Sequence, residues 1–264
     1  RDSEARRGTK IFVTQGDPSQ ALDIDPQNEK LPVLLLDSIA GNVRKNGMML
    51  SETRIGNIHS RLLTNESFAV PRIIVSGKQA KMTGAAVFNG FQNKLVGFLD
   101  AQDTKALNYL TGRMKSDVID VQTEGGLVSY ESKQLKRKVT ARAVSPDEFE
   151  FTISLRSNGG IGESFSGYDF NKQGAIEEIE RKAAEQIESR CRQLIGKLQR
   201  QYKSDVLGLG KHLHRYHPKA WRKVKNNWDY GETLFADCRI KVEVTVKVRE
   251  YGAIHKVQKY RNGG

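Results

Sequence analysis

One long apolar stripe constrains the fold of this chain more than any other feature. Between Gln173 and Tyr202, apolar residues recur at steps of three and four, which places them on one face of a helix. The members of this stripe are Ile176, Ile179, Ala183, Ile187, Cys191, Leu194, Leu198 and Tyr202. Acidic residues crowd the first turns and basic residues the last, as the helix dipole favours. The stripe therefore predicts a long helix that covers an apolar surface.

Alternating segments supply the surface that this helix would cover. From Arg239 to Arg249, the even positions are Ile or Val and the odd positions are polar, which predicts a strand with one buried face. Glu148 to Leu155 alternates in the same way, and one wet face suits an antiparallel sheet. Val128 to Val144 changes phase part-way, which indicates a bulge. A two-layer arrangement of a helix on a sheet follows.

A second group of elements lies before residue 122. Two apolar runs, Lys81–Phe88 and Lys94–Leu99, flank the turn residues Asn89–Gly90, and an Asn-Gly pair tolerates positive φ, so a hairpin is predicted. Asp100 is placed to cap a following helix. Gly112 is expected inside that helix and should keep it short.

The fold class predicted from these patterns is α+β and multidomain, with mostly antiparallel or mixed sheets, each packed by helices. We expect residues 1–46 to be the remnant of a truncated amino-terminal domain, in which Leu31–Ile39 begins a short helix. Residues 47–122 form a middle α+β domain that ends with a strand at Val118–Val121. Residues 123–264 form a carboxy-terminal α+β domain with one long helix across a sheet.

The composition of the chain limits the classes of partner that it can bind, but it does not identify one. The chain has 264 residues and a net charge of +12, which attracts nucleic acid, anionic lipid headgroups or an acidic protein. No apolar run approaches the ~18 residues of a membrane helix. Neither a signal peptide nor an initiating Met is present, so we expect a mature form or a fragment whose targeting segment has been removed.

Three close histidines, His212, His214 and His217, raise the question of a metal site. Zinc needs further ligands, and the neighbouring Lys211 and Arg215 raise the positive potential against a cation. Two cysteines, Cys191 and Cys238, stand far apart and away from metal-ligand spacing, so they are interpreted as small buried thiols. No metal and no cofactor are predicted.

Glycine pairs raise the question of a phosphate loop. The Walker pattern is not completed around Gly208 and Gly210, and these residues follow a helix instead of a strand. We therefore expect them to end the long helix, since glycine supplies the left-handed conformation at a helix terminus. The run Asn158–Gly162 is interpreted as a flexible connection between a strand and a helix. No catalytic motif nominates a nucleophile or base, and no enzyme activity is predicted.

Two tryptophans lie within a basic stretch. Trp221 and Trp228 are seven residues apart, two helical turns, so on one helix both would face the core with Val224. Nucleic-acid readers also combine cations with stacking aromatics, which is the competing interpretation. Burial of a Trp side chain removes a large apolar area from water. We therefore favour the interpretation in which the tryptophans are buried and the basic residues of the segment face solvent.

Three segments carry a resemblance to a known family: SDVLGLG from Ser204, PKAWRKVKNNWD from Pro218, and the V-x-V-x-V strand that ends in Arg249–Gly252. They resemble the Ger(x)C family, the C subunits of the nutrient germinant receptors of endospore-forming bacteria. The positions that match its signature are Asp205, Gly208, Gly210, Pro218, Trp221 and Trp228.

The resemblance implies a non-enzymatic lipoprotein. Members are tethered through a lipidated, palmitate-bearing cysteine at the amino terminus to the outer face of the spore inner membrane. They assemble with the A and B integral membrane subunits into a receptor that triggers germination when nutrients bind. The family's fold is three α+β domains, and it supplies no catalytic or cofactor residues. The lipobox cysteine is not among these residues.

The physical interpretation of the signature is architectural. Pro218 should begin a short helix that Trp221 and Trp228 hold against the sheet. The basic residues between them should face outward and meet anionic headgroups or an acidic partner surface; the candidates are Lys211, Arg215, Lys219 and Lys223. A basic nucleic-acid-binding protein is the alternative, and a hydrolase or metal-dependent enzyme of the cell envelope is a third hypothesis.

Overall fold

The structure is a computed structural model that describes most of the chain. The described residues are 7–21, 47–51, 53–76, 79–145, 147–164, 170, 172–230 and 233–251. The helix predicted to begin at Leu31–Ile39 lies outside them. Within the described part, two four-stranded sheets and one short two-stranded pair are covered by helices. The α+β class with mixed sheets is confirmed.

The first sheet is built from the amino-terminal half. Its strands are β2 (Val13–Thr14), β4 (Phe68–Ser76), β5 (Gln79–Asn89) and β6 (Lys94–Leu99), in that spatial order. The two-stranded pair joins β1 (Lys10–Ile11) to β3 (Thr53–Arg54). A 3₁₀ turn spans Pro18–Ala21, and two helices accompany these strands, α1 (Ile55–Leu63) and α2 (Ala101–Thr111).

The predicted hairpin is confirmed, but its turn differs from the prediction. Strands β5 and β6 pair antiparallel, with Asn89 opposite Lys94. The positive φ falls on Asn93, at 54°, and not on the Asn89–Gly90 pair. Gly90 is needed for a different reason: a Cβ there would lie 2.1 Å from the carbonyl oxygen of Glu66. The chain therefore makes a four-residue loop in place of a tight two-residue turn.

Helix α2 begins with the predicted cap. The Asp100 carboxylate accepts a hydrogen bond from the backbone N–H of Asp103 over 2.8 Å, and the Asp103 side chain accepts one from the Asp100 N–H. This reciprocal pair is a capping box. Gly112 does not lie inside the helix. It ends the helix in the left-handed conformation at φ 71°, which explains the short length without a mid-helix penalty.

The second sheet holds the longest strands, β7 (Asp117–Thr123), β8 (Gly126–Ala143), β9 (Phe149–Ser164) and β10 (Arg239–Tyr251). Their spatial order is β10-β9-β8-β7. β7, β8 and β9 pair antiparallel, whereas β9 and β10 pair parallel. The sheet is mixed because the connection from β9 to β10 crosses over through helices.

The strand predicted at Val118–Val121 belongs to this second sheet, where β7 is an edge strand. The expected border between residues 122 and 123 therefore falls at the β7–β8 hairpin. The division of the chain into three domains stays a prediction. In the structure, buried side chains from both four-stranded sheets join one continuous core, which runs from Val87 through Val121 to Val246.

Strand β9 corrects the interpretation of the glycine run. Asn158–Gly162 is regular strand and not a loop. A Cβ at Gly159 would lie 1.9 Å from the Glu131 carbonyl oxygen, and one at Gly160 would lie 2.6 Å from the Glu250 carbonyl oxygen. These glycines allow the neighbouring backbones to approach closely. The phase change predicted in β8 is confirmed, because the β8–β9 register shifts between Ser132 and Gln134.

The predicted long helix is α3 (Ala175–Lys197), which continues as a π-helical turn over Leu198–Tyr202. Its stripe is buried as predicted, from Ile179 to Tyr202, with Ile176 partly buried against the same core. Three shorter helices follow: α4 (Leu209–Tyr216), α5 (Pro218–Val224) and α6 (Leu234–Asp237). The segment between α3 and α6 contains every residue of the proposed signature.

Candidate interaction surface and its buried support

The carboxylate of Asp205 organises the segment between α3 and α4. Its Oδ1 accepts hydrogen bonds from the backbone N–H of Gly208 at 2.9 Å and of Leu209 at 3.1 Å. Its Oδ2 accepts the N–H of Gly210 at 2.6 Å and the indole Nε1–H of Trp228 at 2.9 Å. A helix start leaves its first N–H groups without partners, and this carboxylate satisfies them with charge of the favoured sign.

The two glycines do not end the long helix, contrary to the prediction. Lys203 does so, in the left-handed conformation at φ 47°. Gly208 instead precedes α4 as its N-cap at φ 77°, and Gly210 lies inside α4. A Cβ at Gly210 would lie 2.7 Å from the Nε1 of Trp228 and 2.9 Å from the Cη2 of Trp221. Gly210 therefore leaves room for the two indoles beside the helix.

Trp228 is the centre of an aromatic cluster on the second sheet. The side chain is 3% exposed and meets the rings of Phe149 and Phe151 edge-on, with centroids 6.3 and 6.0 Å away. Trp221 lies 5.9 Å from Trp228, also edge-on, and is half-buried. Because α5 ends at Val224, the two tryptophans do not share one helix face as predicted. They meet across the bend that follows α5.

A chain of buried polar groups ties this segment to the first sheet. The Asn89 side-chain amide donates to the hydroxyl of Ser204 at 3.0 Å and to the backbone oxygen of Asp229 at 2.9 Å. The Ser67 hydroxyl donates to Oδ2 of Asp229 at 2.5 Å, and the Asp205 N–H donates to the same atom at 3.3 Å. These five residues and Trp228 are called the buried hub below.

Sequence reasoning missed four of the six residues of the buried hub. Ser67, Ser204 and Asp229 were given no role, and Asn89 was interpreted as a turn residue. Asp229 follows Trp228 in the quoted PKAWRKVKNNWD segment, so its acid beside a buried Trp was the signal available in the sequence. The partners in the first sheet could not be found from spacing, because they lie more than a hundred residues away in the chain.

The carboxyl of Asp229 has an unusual environment. Burial raises its pKa from the ordinary value of 3.8 to about 6. The hydrogen bond from Ser67 acts in the opposite direction, and the charge of Asp205 raises the pKa further. The Asp229 carboxyl is therefore a titratable group at the buried contact between the two sheets.

The four predicted contact residues lie on the exposed side of α4 and α5. Lys211 and Arg215 are one turn apart on α4, and Lys219 and Lys223 are one turn apart on α5. Pro218 occupies the first turn of α5, where a missing N–H costs nothing. We call the exposed cations of this segment the basic face; they are Lys211, Arg215, Lys219, Arg222, Lys223 and Lys225.

The underside of the basic face is anchored in the core. Leu209 and Leu213 of α4 and Val224 of α5 are buried, so the apolar sides of both helices are used inside the protein. From Leu209 to Lys225 the sequence has no Asp or Glu. A rigid pair of short helices thus presents one sign of charge to solvent.

The histidines and cysteines do not assemble a metal site in the described residues, where no cluster of three or more potential metal ligands is found. The His212 ring lies 4.7 Å from that of Tyr216, and burial, followed by the nearby His217, lowers the pKa of His212. Cys191 and Cys238 are free and buried, as predicted, and burial raises the pKa of each thiol to about 12.

Another buried polar contact lies below α2. Lys105 and Asp117 form an ion pair at 2.7 Å with both side chains 6% exposed, and the Tyr109 hydroxyl donates to Asp117 at 2.7 Å. Lys105 also donates to the carbonyl of Val118 at 3.2 Å. Lys105, Tyr109 and Asp117 line a small pocket together with Ile119, Gln186 and Arg190, and it leaves little space for a ligand.

Comparison with known proteins identifies the family. The family model described as "Spore germination B3/ GerAC like, C-terminal" matches residues 83–252, which include most of the buried hub and all of the basic face.

The chain belongs to this family.

Two curated relatives and one solved structure show how far the likeness extends. Spore germination protein B3 of Bacillus subtilis (strain 168) is 26% identical over 261 residues, which is 97% of this chain and 68% of that protein. Spore germination protein YndF of the same strain is 24% identical over 257 residues, 96% of this chain and 62% of that protein. The chain thus spans about two thirds of the length of these relatives.

The Ger(x)C fold is also shared in three dimensions. The crystal structure of the GerBC protein superposes with a TM-score of 0.76 at 24% identity, covering 95% of this chain and 71% of that one. Among the described helices of this Ger(x)C protein, none is long and apolar enough to cross a membrane. The resemblance first seen in the segments around Asp205 and Trp228 is confirmed over most of the chain.

Proposed function

We propose that this chain is part of the non-enzymatic C subunit of a spore germinant receptor and acts in spore germination. The subunit is a membrane-tethered scaffold that assembles with the A and B integral membrane subunits and helps to trigger germination in response to nutrients. It lies on the outer face of the spore inner membrane, held by a lipidated amino-terminal cysteine that is not among these residues. Family membership over residues 83–252 supports the role in germination.

The chemistry of the described residues supports a scaffold more than a catalyst. The oxygens of Asp205 are engaged by four N–H donors, which leaves this carboxylate no free role as a base. The two thiols are buried and neutral, which removes them as nucleophiles. The polar groups of the buried hub fix the geometry of two sheets and carry no solvent-facing reactive atom.

The observation that carries the proposal is the basic face supported by the buried hub. Asp205 and Trp228 fix the start of α4, and the hub connects it to Ser67, which directly precedes β4, and to Asn89 at the end of β5. The cations of α4 and α5 are therefore carried by helices whose apolar sides are anchored in the core. A surface supported in this way suits contact with an anionic partner, and we propose the basic face as the region that meets either anionic headgroups or an acidic partner surface.

Receptor membership is tested with the full-length protein in spores. A strain that lacks the gene should lose its response to at least one nutrient, and the complemented strain should regain it. Affinity purification of the tagged full-length protein from detergent-solubilised spore membranes should recover two integral membrane proteins. Nutrient responses that stay intact across a panel of amino acids and sugars, together with no co-purified membrane protein, would contradict the proposal.

A further inference from the structure

We propose that the basic face binds the surface of an anionic lipid bilayer directly, as a peripheral contact that orients the protein on the membrane. This inference rests on the proposed function, because a bilayer is within reach only of a protein that is held beside one. The occupant of the face is the phosphate layer of the membrane and not an acidic protein. Charge, aromatic placement and the absence of a free apolar side each support this choice.

Among the described residues, acidic side chains compensate little of the charge of the basic face. Several exposed cations elsewhere on the surface are paired with acids at short distance, such as Arg181 with Glu185 at 2.8 Å and Lys241 with Glu243 at 2.7 Å. Within the part of the chain that the structure describes, the ion pair of the segment 209–225 is a long one, between Lys211 and Glu66 at 4.0 Å. The remaining positive potential extends toward solvent and attracts a polyanion.

Aromatic side chains that are exposed or half-buried lie beside the cations of the basic face. Tyr216, the last residue of α4, is 60% exposed, and the Arg215 guanidinium lies 5.5 Å from its ring centroid. The half-buried Trp221 lies 6.3 Å from the ring of His214. Tyr and Trp favour the boundary between headgroups and acyl chains, since their rings are apolar and carry a polar tip.

The composition of the face favours lipid over protein. Stable protein interfaces have an apolar or aromatic centre that is depleted of Lys. Here four of the six cations are lysines, and the apolar residues Leu209, Leu213 and Val224 are buried inside the protein. A bilayer surface requires no complementary apolar patch, because its phosphates form a continuous layer of negative charge. The contact should be shallow, with cations at the phosphates and Tyr216 at the headgroup level.

Co-sedimentation with vesicles tests the inference on the purified chain. The probe is a sucrose-loaded vesicle of equal parts phosphatidylglycerol and phosphatidylcholine, compared with a vesicle of phosphatidylcholine alone. We expect binding to the anionic vesicle and none to the neutral one. Each Lys or Arg near an anionic surface adds about fivefold to the partition coefficient. Reversal of Lys211, Arg215, Lys219 and Lys223 to Glu should therefore reduce it by roughly several hundred-fold or more.

A matched control changes the same net charge elsewhere. Lys94, Lys136, Lys138 and Arg156 are exposed and lie outside α4 and α5. Their reversal to Glu should lower vesicle binding several-fold at most, through the overall charge alone. Equal losses in the two variants would overturn the proposal, because the binding would then follow net charge and not this face. Tyr216→Ser should weaken binding most at physiological salt, where screening reduces the electrostatic part.

The vesicle experiment and the test of receptor membership can fail independently of each other. If the wild-type chain does not bind the anionic vesicle while the full-length protein still co-purifies with membrane subunits, the lipid inference is overturned and receptor membership stands. In that case an acidic surface of a partner subunit is the occupant, and the four reversals should break co-purification. If vesicle binding is seen but the gene has no effect on germination, the proposed function fails and the lipid contact stands.

Discussion

The indole Nε1 of Trp228 donates a hydrogen bond to the Oδ2 of Asp205 over 2.9 Å, so a ring that packs on the second sheet also fixes the first turn of α4. The same carboxylate accepts three backbone N–H groups of that turn. One acidic side chain therefore links the aromatic cluster, the helix start and the buried junction with the first sheet. Residues far from the solvent thus control the position of the basic face.

Replacement of Asp205 by Ala should be among the most damaging single changes in the protein. It leaves the N–H groups of Gly208, Leu209 and Gly210 and the indole of Trp228 without an acceptor in a buried site. Loss of a cap and of a buried acceptor together should lower the free energy of unfolding by about 3–5 kcal/mol. Denaturant titration followed by circular dichroism measures it. The exposed Asp237 is the control, and Asp237→Ala should cost less than about 1 kcal/mol.

The two signature glycines should respond differently to substitution. Gly210→Ala places a methyl group within 3 Å of both indoles, so we expect a loss of about 1–3 kcal/mol and a change in Trp fluorescence. Gly208 has open space around its Cβ position and needs a left-handed backbone, which Asn tolerates. Gly208→Asn should cost less than about 1 kcal/mol. Equal effects at the two positions would mean that Gly210 is not required for space.

The raised pKa of Asp229 predicts a specific pH dependence of stability. The folded state holds a proton on this carboxyl up to about pH 6, whereas the unfolded state releases it near the ordinary value of 3.8. Between these two values the folded state binds more protons, so the contribution of Asp229 falls as pH rises through this window and is constant above it. The total change is about 3 kcal/mol, because one pKa unit is ~1.4 kcal/mol.

Asp229→Asn isolates this contribution. The amide mimics the protonated acid and does not titrate, so the difference in unfolding free energy between wild type and variant should change across pH 4 to 6 and stay flat from pH 6 to 8. Above that window the variant should be at least as stable as the wild type. A difference that does not vary with pH would show that folding does not raise the pKa of Asp229.

The buried ion pair below α2 gives another test. Lys105→Met leaves Asp117 buried without its cation, which should cost about 3–5 kcal/mol. The double variant Lys105→Met with Asp117→Asn removes the orphaned charge and should recover most of this loss. The exposed Lys115 serves as control, and Lys115→Met should be close to neutral in thermal unfolding. No recovery in the double variant would show that the loss comes from packing and not from charge.

The hypothesis that this chain binds nucleic acid and the hypothesis that it binds lipid predict different salt dependences of binding. A protein held to DNA by phosphate contacts alone loses affinity steeply as salt rises. We expect weak retention of this chain on a DNA column at low salt, from its net charge of +12, and none near physiological salt. Anionic vesicles should still bind part of the protein there, since Tyr216 contributes an apolar contact. Strong retention on DNA at physiological salt would favour a nucleic-acid-binding protein.

Periodicity in the sequence predicts the parts of the fold that are set by one buried face. The stripe on α3 and the alternation in β10 were both found, because burial on one side imposes a period on the chain. Local hydrogen bonding was also predictable, as in the capping box of Asp100. These features depend on residues a few positions apart.

Features set by distant contacts were not predictable. Gly159 and Gly160 look like a loop in the sequence, and they lie in a strand because neighbouring backbones approach them. The π turn after α3 and its end at Lys203 have no local signal of glycine or proline. In the candidate site, Asp205, Gly210 and Trp228 stand out in the sequence, but the hydrogen bonds of the Asp205 carboxylate could not be predicted from it. The parallel pairing of β9 with β10 likewise depends on the whole crossover.

Germination of spores that carry the full-length protein with Lys211, Arg215, Lys219 and Lys223 reversed to Glu addresses the role of the basic face in the cell. The measurement is the rate of nutrient-triggered germination, taken at equal accumulation of the protein on immunoblots and beside spores with the control reversals at Lys94, Lys136, Lys138 and Arg156. We expect a loss of at least about tenfold for the basic-face variant and a near-normal rate for the control. A normal rate in the basic-face variant would contradict the assignment of this surface to receptor function.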